Sequence, residues 1–459
     1  MNEKIKNRKT KKFVSMPLVN PNAAGIDVGD TLFTVAVPES SDTLVVKEFG
    51  AFTCDLRAIS EWLKQSGIET VAMESTGVYW KQLFTVLVRD GFEVYLVNAK
   101  STKNITGRKD DENDAMWIQR LHSCGLLTSC FLPDEHTETL RTLVRFRRSL
   151  VQDSSRYILR MQKSLELMNI KVHTVISDIV GKTGTAIIEA IIEGERRPEK
   201  FMPYIDKRIK ADKQTLMKSL EGNWRREHLA TLKLSYEMYK IFQVKIEECE
   251  KEIEKTLQEY DIYEDDKNVI DPIENTQQED SSVKKKKKSK IKNSISVDIN
   301  TYLKKIHGVD VMEIYGISGV GALEILSETG TDLSKWETEN KWVSWLNLCP
   351  NNKITGGKLI SSMRLKKKPN AAAQAFRVAA NSLSKSDHWL GDYFRRMKAK
   401  GGTKYAIVAT ARKLAIIYYR MVRYKETFNP VELKQYQEKY KAAKISYLKR
   451  KLEQLTKAA

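Results

Sequence analysis

The amino-acid sequence predicts an α/β domain built on a mixed sheet, then a long helical segment and a second, mostly helical domain. Three observations carry this reading. Residues 23–99 alternate short β-rich runs with amphipathic helical patterns, residues 135–261 set apolar side chains three and four apart, and glycine turns and alanine-rich stretches dominate from about 300 onward. A chain of 459 residues has room for two or three such cores.

In the first domain, "AAGIDVGDTLFTVAV" (residues 23–37) reads as two strands joined by a Gly-Asp turn, and "TLVVKEF" as a third. An amphipathic helix ("DLRAISEWLKQSG"), a strand ("TVAMEST"), a helix ("GVYWKQLFTVLVRDG"), a strand ("FEVYLVNA") and an acidic helix within "GRKDDENDAMWIQRL" (residues 107–121) follow. Three strands in meander and then crossovers describe a mixed sheet with helices on its faces, the ribonuclease-H-like order.

In the helical segment, Leu140, Leu143, Leu150, Met161, Leu165 and Met168 mark one helix, and Tyr239, Phe242, Ile246, Cys249, Ile253 and Leu257 another. Two long helices predict an antiparallel hairpin, a dimer seam, or both. Arg141, Arg145 and Arg148 share a face, which is either a nucleic-acid contact or a solvated surface. Residues 264–298 lack periodicity and segregate their charges, so they read as a disordered linker whose lysine run is a solvated tether or a nucleic-acid contact. The expected organisation is a basic arm at 1–20, the α/β domain at 21–130, a helical coiled-coil segment at 131–263, the linker at 264–299, the second domain at 300–430 and a basic C-terminal helix at 431–459.

The second domain opens with "VMEIYGISGVGALEILSETG", where Gly316, Gly319 and Gly321 precede an apolar helix. Such glycines either leave helix amides free for a phosphate or only make a tight turn. "WVSWLNLCPNNKITGGKLISSMRLKKKPNAAAQAFRVAANSLSKS" from Trp342 is polar and basic around hydroxyls and followed by an alanine-rich helix, and "GGTKYAIVATARKLAIIYYRMV" reads as a helix with a core-facing apolar side.

Lys and Arg number 78 against 59 Asp and Glu, a net charge of +19 that favours a polyanionic partner, nucleic acid before a membrane surface. The five cysteines are scattered without metal spacing or a disulfide framework, as expected of a protein in a reducing cytoplasm. The basic N-terminus has no apolar run behind it, so it reads as a mobile arm rather than a secretory signal, and no stretch approaches a membrane span.

Against that basic background the acids of residues 110–114 stand out. On a helix, Asp111 and Asp114 share a stripe with Ala115, Ile118 and His122, which should face the core. Buried carboxylates need a compensating cation. Asp27 lies mid-strand and Glu74 at the carboxyl end of "TVAMEST"; in a sheet of this order the two strands are neighbours, and four carboxylates would converge as oxygen ligands for paired magnesium ions. Each acid also has a plainer reading: Asp27 could begin a turn, Glu74 could cap the next helix, and Asp114 could pair with Arg108 or Lys109.

The set "GIDVGD", "AMEST" and "GRKDDENDA" resembles the RuvC-like domain of the DEDD-type insertion-sequence transposases, also described as bridge-RNA-guided serine recombinases. "GISGVGALEILSETG", "WLNLCPNNKITGGK" and "NAAAQAFRVAA" are similar to that family's second conserved domain. The resemblance implies that Asp27, Glu74, Asp111 and Asp114 form an acidic tetrad holding Mg2+, with Mn2+ as an alternative, and that Asp110 is a bystander. It implies a nucleophilic hydroxyl before a glycine, here Thr355 before Gly356 where the family commonly has serine. The extra methyl of threonine restricts χ1 and hinders in-line attack, so Ser361 and Ser362 are alternates, and a hydroxyl that only caps a turn is the plainer reading. Gly319, Gly321, Gly356, Lys358, Arg364, Lys366, Lys367, Lys368 and Arg377 would then contact nucleic acid, or the basic residues would form a solvated loop.

The activity so implied is DNA strand exchange by metal-assisted transesterification through a covalent 5′-phosphoryl link. The tetrad of one subunit would serve the hydroxyl of another in a homodimer or homotetramer. A structured guide RNA would choose the donor and target DNA, and the protein would work in a prokaryotic cytoplasm, on the nucleoid. A hydrolytic RuvC-like nuclease or junction resolvase, and a non-catalytic nucleic-acid scaffold, are the rival readings.

Overall fold

The computed structural model describes residues 17–39, 43–98, 111–260, 295–364, 370–430 and 432–456. The expected linker and basic arm fall almost wholly outside these residues. Two compact units divide the chain, residues 1–132 and 133–459.

The first unit is a five-stranded mixed sheet in the order β3-β2-β1-β4-β5, with β1 Ala23–Val28, β2 Leu32–Pro38, β3 Leu44–Gly50, β4 Thr70–Glu74 and β5 Glu93–Val97. β1 runs antiparallel to β2 and parallel to β4, and β4 parallel to β5. Strand alternation sorts the side chains onto two faces. Ile26, Val28, Val35, Val71, Met73 and Leu96 form one core with Leu56, Ile59 and Leu63 of helix α1 (Thr53–Gln65) and with Leu83 and Leu87 of helix α2 (Trp80–Arg89). Ala72 and Val97 point to the opposite face, where Ile118 of helix α3 (Asp111–Ser123) covers them. Helix α3 lies directly on β1 because Gly25 has no side chain: a Cβ there would come within 2.2 Å of the Gln119 amide nitrogen and 2.4 Å of the Ala115 carbonyl oxygen. Gln119 Nε2 donates to the Ala23 carbonyl at 3.1 Å, so the helix runs antiparallel to the strand.

In the second unit, helix α4 (Glu135–Leu167) and helix α5 (Arg226–Gln258) form an antiparallel hairpin. Its direction is set by contacts such as Arg147 with Glu250, Gln243 with Ser154, and Ser164 with Thr231. Short helices between the two pack on one end of the hairpin, where Ile170, Ile187, Ile191, Phe201 and Leu220 share a core with Met161 and Leu165 of α4 and Leu232 of α5. Helices from Ile299–His307 to Trp389–Tyr424 gather around Trp342, Phe376, Tyr418 and Tyr419, with Trp342 Nε1 donating to the Ala415 carbonyl. "GGTKYAIVATARKLAIIYYRMV" lies in helix α6 (Trp389–Tyr424), which breaks at Gly401–Gly402 and buries Ala406, Leu414, Tyr418 and Val422 as the apolar pattern predicts. The fold class expected from sequence, a ribonuclease-H-like mixed sheet followed by mostly helical structure, is the one observed.

Buried ion pairs lock this unit together. Arg147 meets Glu250 at 2.7 Å with both side chains buried, and Ser296 donates to the same carboxylate through its amide and its hydroxyl. No described helix is long and apolar enough to cross a membrane.

Candidate carboxylate site and hydroxyl hairpin

Asp27 and Glu74 each follow the last residue of a parallel register, Ile26 opposite Met73. The next step puts them at the same level, and alternation turns both toward the face covered by α3. The pair stands where β1, flanked by antiparallel β2 and parallel β4, reaches its carboxyl end; open α/β sheets bind ligands at such strand ends. Both side chains are half-buried.

The plainer readings of these two acids do not match their surroundings. The turn after β1 closes through Gly29, whose amide donates to the Leu32 carbonyl, while Asp27 remains within the strand opposite Thr34. Helix α2 starts at Trp80 with Tyr79 as its N-cap, so Glu74 does not cap it; Glu74 Oε1 instead accepts from Thr76 Oγ1 at 3.3 Å.

The acidic helix requires a correction. Ala115, Ile118 and His122 are buried as the stripe predicts, but Asp114 is exposed. The close contact over Gly25 is made at Ala115 and Gln119, while Asn113 and Asp114 just before it are exposed. Asp111 is the first residue of α3, its side chain lies outside what is described, and so do Asp110, Arg108 and Lys109. Among the described residues no three side chains of metal-ligating type are gathered closely enough to hold an ion. Asp27 and Glu74, the two acids that the fold brings together, offer carboxylate oxygens, the donor type that suits a hard divalent cation.

His122 anchors the far end of α3. Its Nε2 lies 2.9 Å from Thr70 Oγ1, Tyr95 packs on its ring, and burial pushes its pKa below the ordinary histidine value.

Thr355 lies in a setting the sequence reading missed. Residues expected to form a polar loop make a hairpin, β6 (Pro350–Thr355) against β7 (Lys358–Arg364), with Thr355 opposite Lys358. Gly356 and Gly357 both take positive φ, 56° and 76°, the two-residue turn that only glycine makes without strain. The signal was present in "KITGGKLI", a Gly-Gly pair between alternating apolar residues. Thr355 and Lys358 are exposed, and Ser361 is half-buried. The side chains of Ser362 and Arg364, and residues Lys366, Lys367 and Lys368, lie outside what is described.

Several of the other expected nucleic-acid contacts have partners within the protein. Arg141 is buried, pairs with Glu138 and donates to the Ser327 and Glu328 carbonyls; Arg145 forms a two-pronged pair with Glu328, both contacts at 2.8 Å. Arg148 is half-buried. The shared face of these arginines is thus partly an internal clamp, invisible in sequence because Glu328 lies 183 residues from Arg145. Gly321 gives its amide to Ser318 Oγ, the N-cap of the helix Gly319–Thr329, and a side chain at Gly319 would strike Asn300. These glycines serve capping and packing. Arg377 donates to the Asn347 carbonyl at 3.4 Å.

The family comparisons match both halves of this arrangement. A transposase family model, the DEDD domain of the IS110 type, matches residues 24–170, and the IS116/IS110/IS902 transposase family model matches residues 310–395. The chain belongs to the IS110 family of transposases. Membership makes it a transposase of an insertion sequence with DNA as its partner. The first match spans the whole sheet with Asp27, Glu74 and α3 and runs on into α4; the second spans the hairpin carrying Thr355. No curated protein matches this transposase.

Proposed function

We propose that this transposase cuts and rejoins DNA by transesterification, with Asp27, Glu74, Asp111 and Asp114 as the carboxylate set and Thr355 as the nucleophile. The observation that carries the reading is the parallel register that brings Asp27 and Glu74 to one level and one face. Two half-buried carboxylates side by side repel unless a cation sits between them. Divalent metal, Mg2+ by the hardness of the oxygen donors, would supply charge stabilisation at the attacking and leaving oxygens.

The residues of the chain divide the remaining work. Thr355 Oγ1 attacks phosphorus, a new O–P bond forms as the P–O3′ bond breaks, and the departing 3′ oxygen takes up the proton that threonine gives up. The protein then holds a 5′-phosphoryl ester that a second 3′-hydroxyl reverses without net change in bond count. An exposed position at a hairpin tip, ahead of two glycines, leaves room for a phosphodiester to approach. Ser361, half-buried on β7, and Ser362 remain the alternates.

Guide-RNA pairing and assembly as a homodimer or homotetramer belong to the same proposal. Exposed Phe146, Leu159, Ile241 and Val244 on the long helical hairpin support self-association, and the net charge of +19 supports RNA as well as DNA binding. The deciding experiment incubates the protein, with the RNA that co-purifies with it, and its element-end DNA in Mg2+, then looks for a protein–DNA adduct. The adduct forms with the wild type and vanishes in Thr355→Ala and in Asp27→Ala. Cleavage without any adduct would establish the hydrolytic nuclease instead, and loss in Ser361→Ala or Ser362→Ala with retention in Thr355→Ala would move the nucleophile.

A further inference from the structure

The edge of the sheet that bears Asp27 and Glu74 also bears unusually exposed apolar side chains. Because β1 and β4 are parallel, the loop after β4 opens at the same edge as Asp27. In that loop Val78 is 67% exposed and Tyr79 46% exposed. Neither is there for want of a core: the next residues along α2, Trp80 and Leu83, turn inward, Trp80 packing edge-on against Phe84 with centroids 5.8 Å apart and Leu83 fully buried.

Backbone hydrogen bonds tie the loop on both sides of Tyr79: the Ser75 amide donates to the Val97 carbonyl of β5, the Thr76 amide to the Glu74 carbonyl, and the Lys81 amide to the Val78 carbonyl. Gly77 takes φ +54°, and a Cβ there would lie 3.1 Å from the edge of the Tyr79 ring. The ring therefore lies against a backbone that leaves its outer face open. Tyr79 is thus an exposed ring at the same strand-end edge as Asp27 and Glu74.

An exposed, unpartnered ring face is the surface on which proteins stack unpaired bases. We propose that Tyr79 is a substrate-binding residue that stacks on an unpaired nucleobase of the DNA strand lying at the Asp27–Glu74 edge, with Val78 wedged against the same base step. The inference rests on the proposed role of those carboxylates as the reaction centre. Stacking there keeps a strand end from re-annealing while its phosphate is exchanged, and it selects for DNA that is melted or branched at the cut.

The test uses the full-length protein in EDTA with a short single strand carrying 2-aminopurine, and with the corresponding duplex. Wild type quenches the fluorescence of the single strand far more than that of the duplex. Tyr79→Ala loses the quench and weakens single-strand binding about tenfold, the scale of one lost stack. Tyr79→Phe restores both, since the ring and not the hydroxyl is used; Gly77→Ala, which crowds the ring without removing it, loses part of the quench; and Tyr447→Ala, an exposed tyrosine of the C-terminal helix Leu433–Thr456, changes nothing. Unchanged quenching in Tyr79→Ala overturns the proposal. So does a shift of that variant to smaller particles in sedimentation with quenching intact, which would make the surface a contact with a second copy. Asp27→Ala loses strand cleavage in Mg2+ and keeps the quench. If wild type quenches yet never cleaves, the carboxylate reading fails and the stack stands.

Discussion

The sheet edge of the first unit and the hairpin of the second carry the two halves of the proposed chemistry and are built on opposite principles. Asp27 and Glu74 sit half-buried on central strands whose neighbours are locked on both sides, with a helix laid against a glycine behind them. Thr355 sits on a two-stranded ribbon whose described side chains are nearly all exposed, among them Ile354 and Ile360. A lone hairpin is marginal in water. The contrast teaches that acids which must hold mutual geometry need a sheet to fix them, whereas a hydroxyl that must reach a phosphodiester is best carried on a protruding turn.

Changing either half breaks the comparison most sharply in activity. Asp27→Ala and Thr355→Ala each lower strand joining on the order of 10³-fold or more, read by gel assay of joined product. Thr355→Ala nevertheless leaves unfolding free energy within about 0.5 kcal/mol of wild type, because the position is exposed. Next in size is the buried clamp of the second unit. Glu250→Ala removes the buried carboxylate that faces the Arg147 guanidinium and releases Ser296, costing about 3 kcal/mol in urea unfolding monitored on the helical signal.

The pH dependence of the second unit follows from His307. It is fully buried, its Nε2 lies 3.2 Å from Tyr418 Oη, and burial, aided by the nearby charge of Lys425, holds its pKa down to about 3 against an ordinary 6.5. Between those values the unfolded chain takes up a proton that the folded one refuses. Stability is therefore full above pH 6.5 and falls as pH drops toward 3. Urea midpoints at pH 7 and pH 5 measure the loss, and His307→Phe flattens that part of the slope. The smallest expected effect sharpens the view of the first unit: Gly25→Ala pushes α3 off β1, costs about 1–3 kcal/mol, and lowers strand joining even though no carboxylate is touched.

Much of this was legible before the structure. The order of strands and helices in the first unit, the two long helices and the core-facing run after Gly402 all follow from local periodicity, and Asp27 and Glu74 stood out because strand order made neighbours of them. The hairpin was equally local, and "KITGGKLI" carried its turn, but hydroxyls and lysines around it gave the stretch the look of a loop. Exposure of Asp114 was not legible, since a helical stripe says which residues align and not where along the helix its contact with the sheet ends. The fate of Arg141 and Arg145 was likewise hidden, because their carboxylate partner Glu328 comes from a helix far along the chain.

By itself the sequence determined the elements and their order, because hydrophobic period, turn chemistry and propensity act over a few residues at a time. Tertiary structure alone decided the surroundings of the other charges: the exposure of Asp114 next to buried Ala115, where α3 meets Gly25, and the pairing of Arg141 and Arg145 with Glu328. Such pairings are selected by packing and desolvation summed over whole faces, and no local stretch of residues contains that sum.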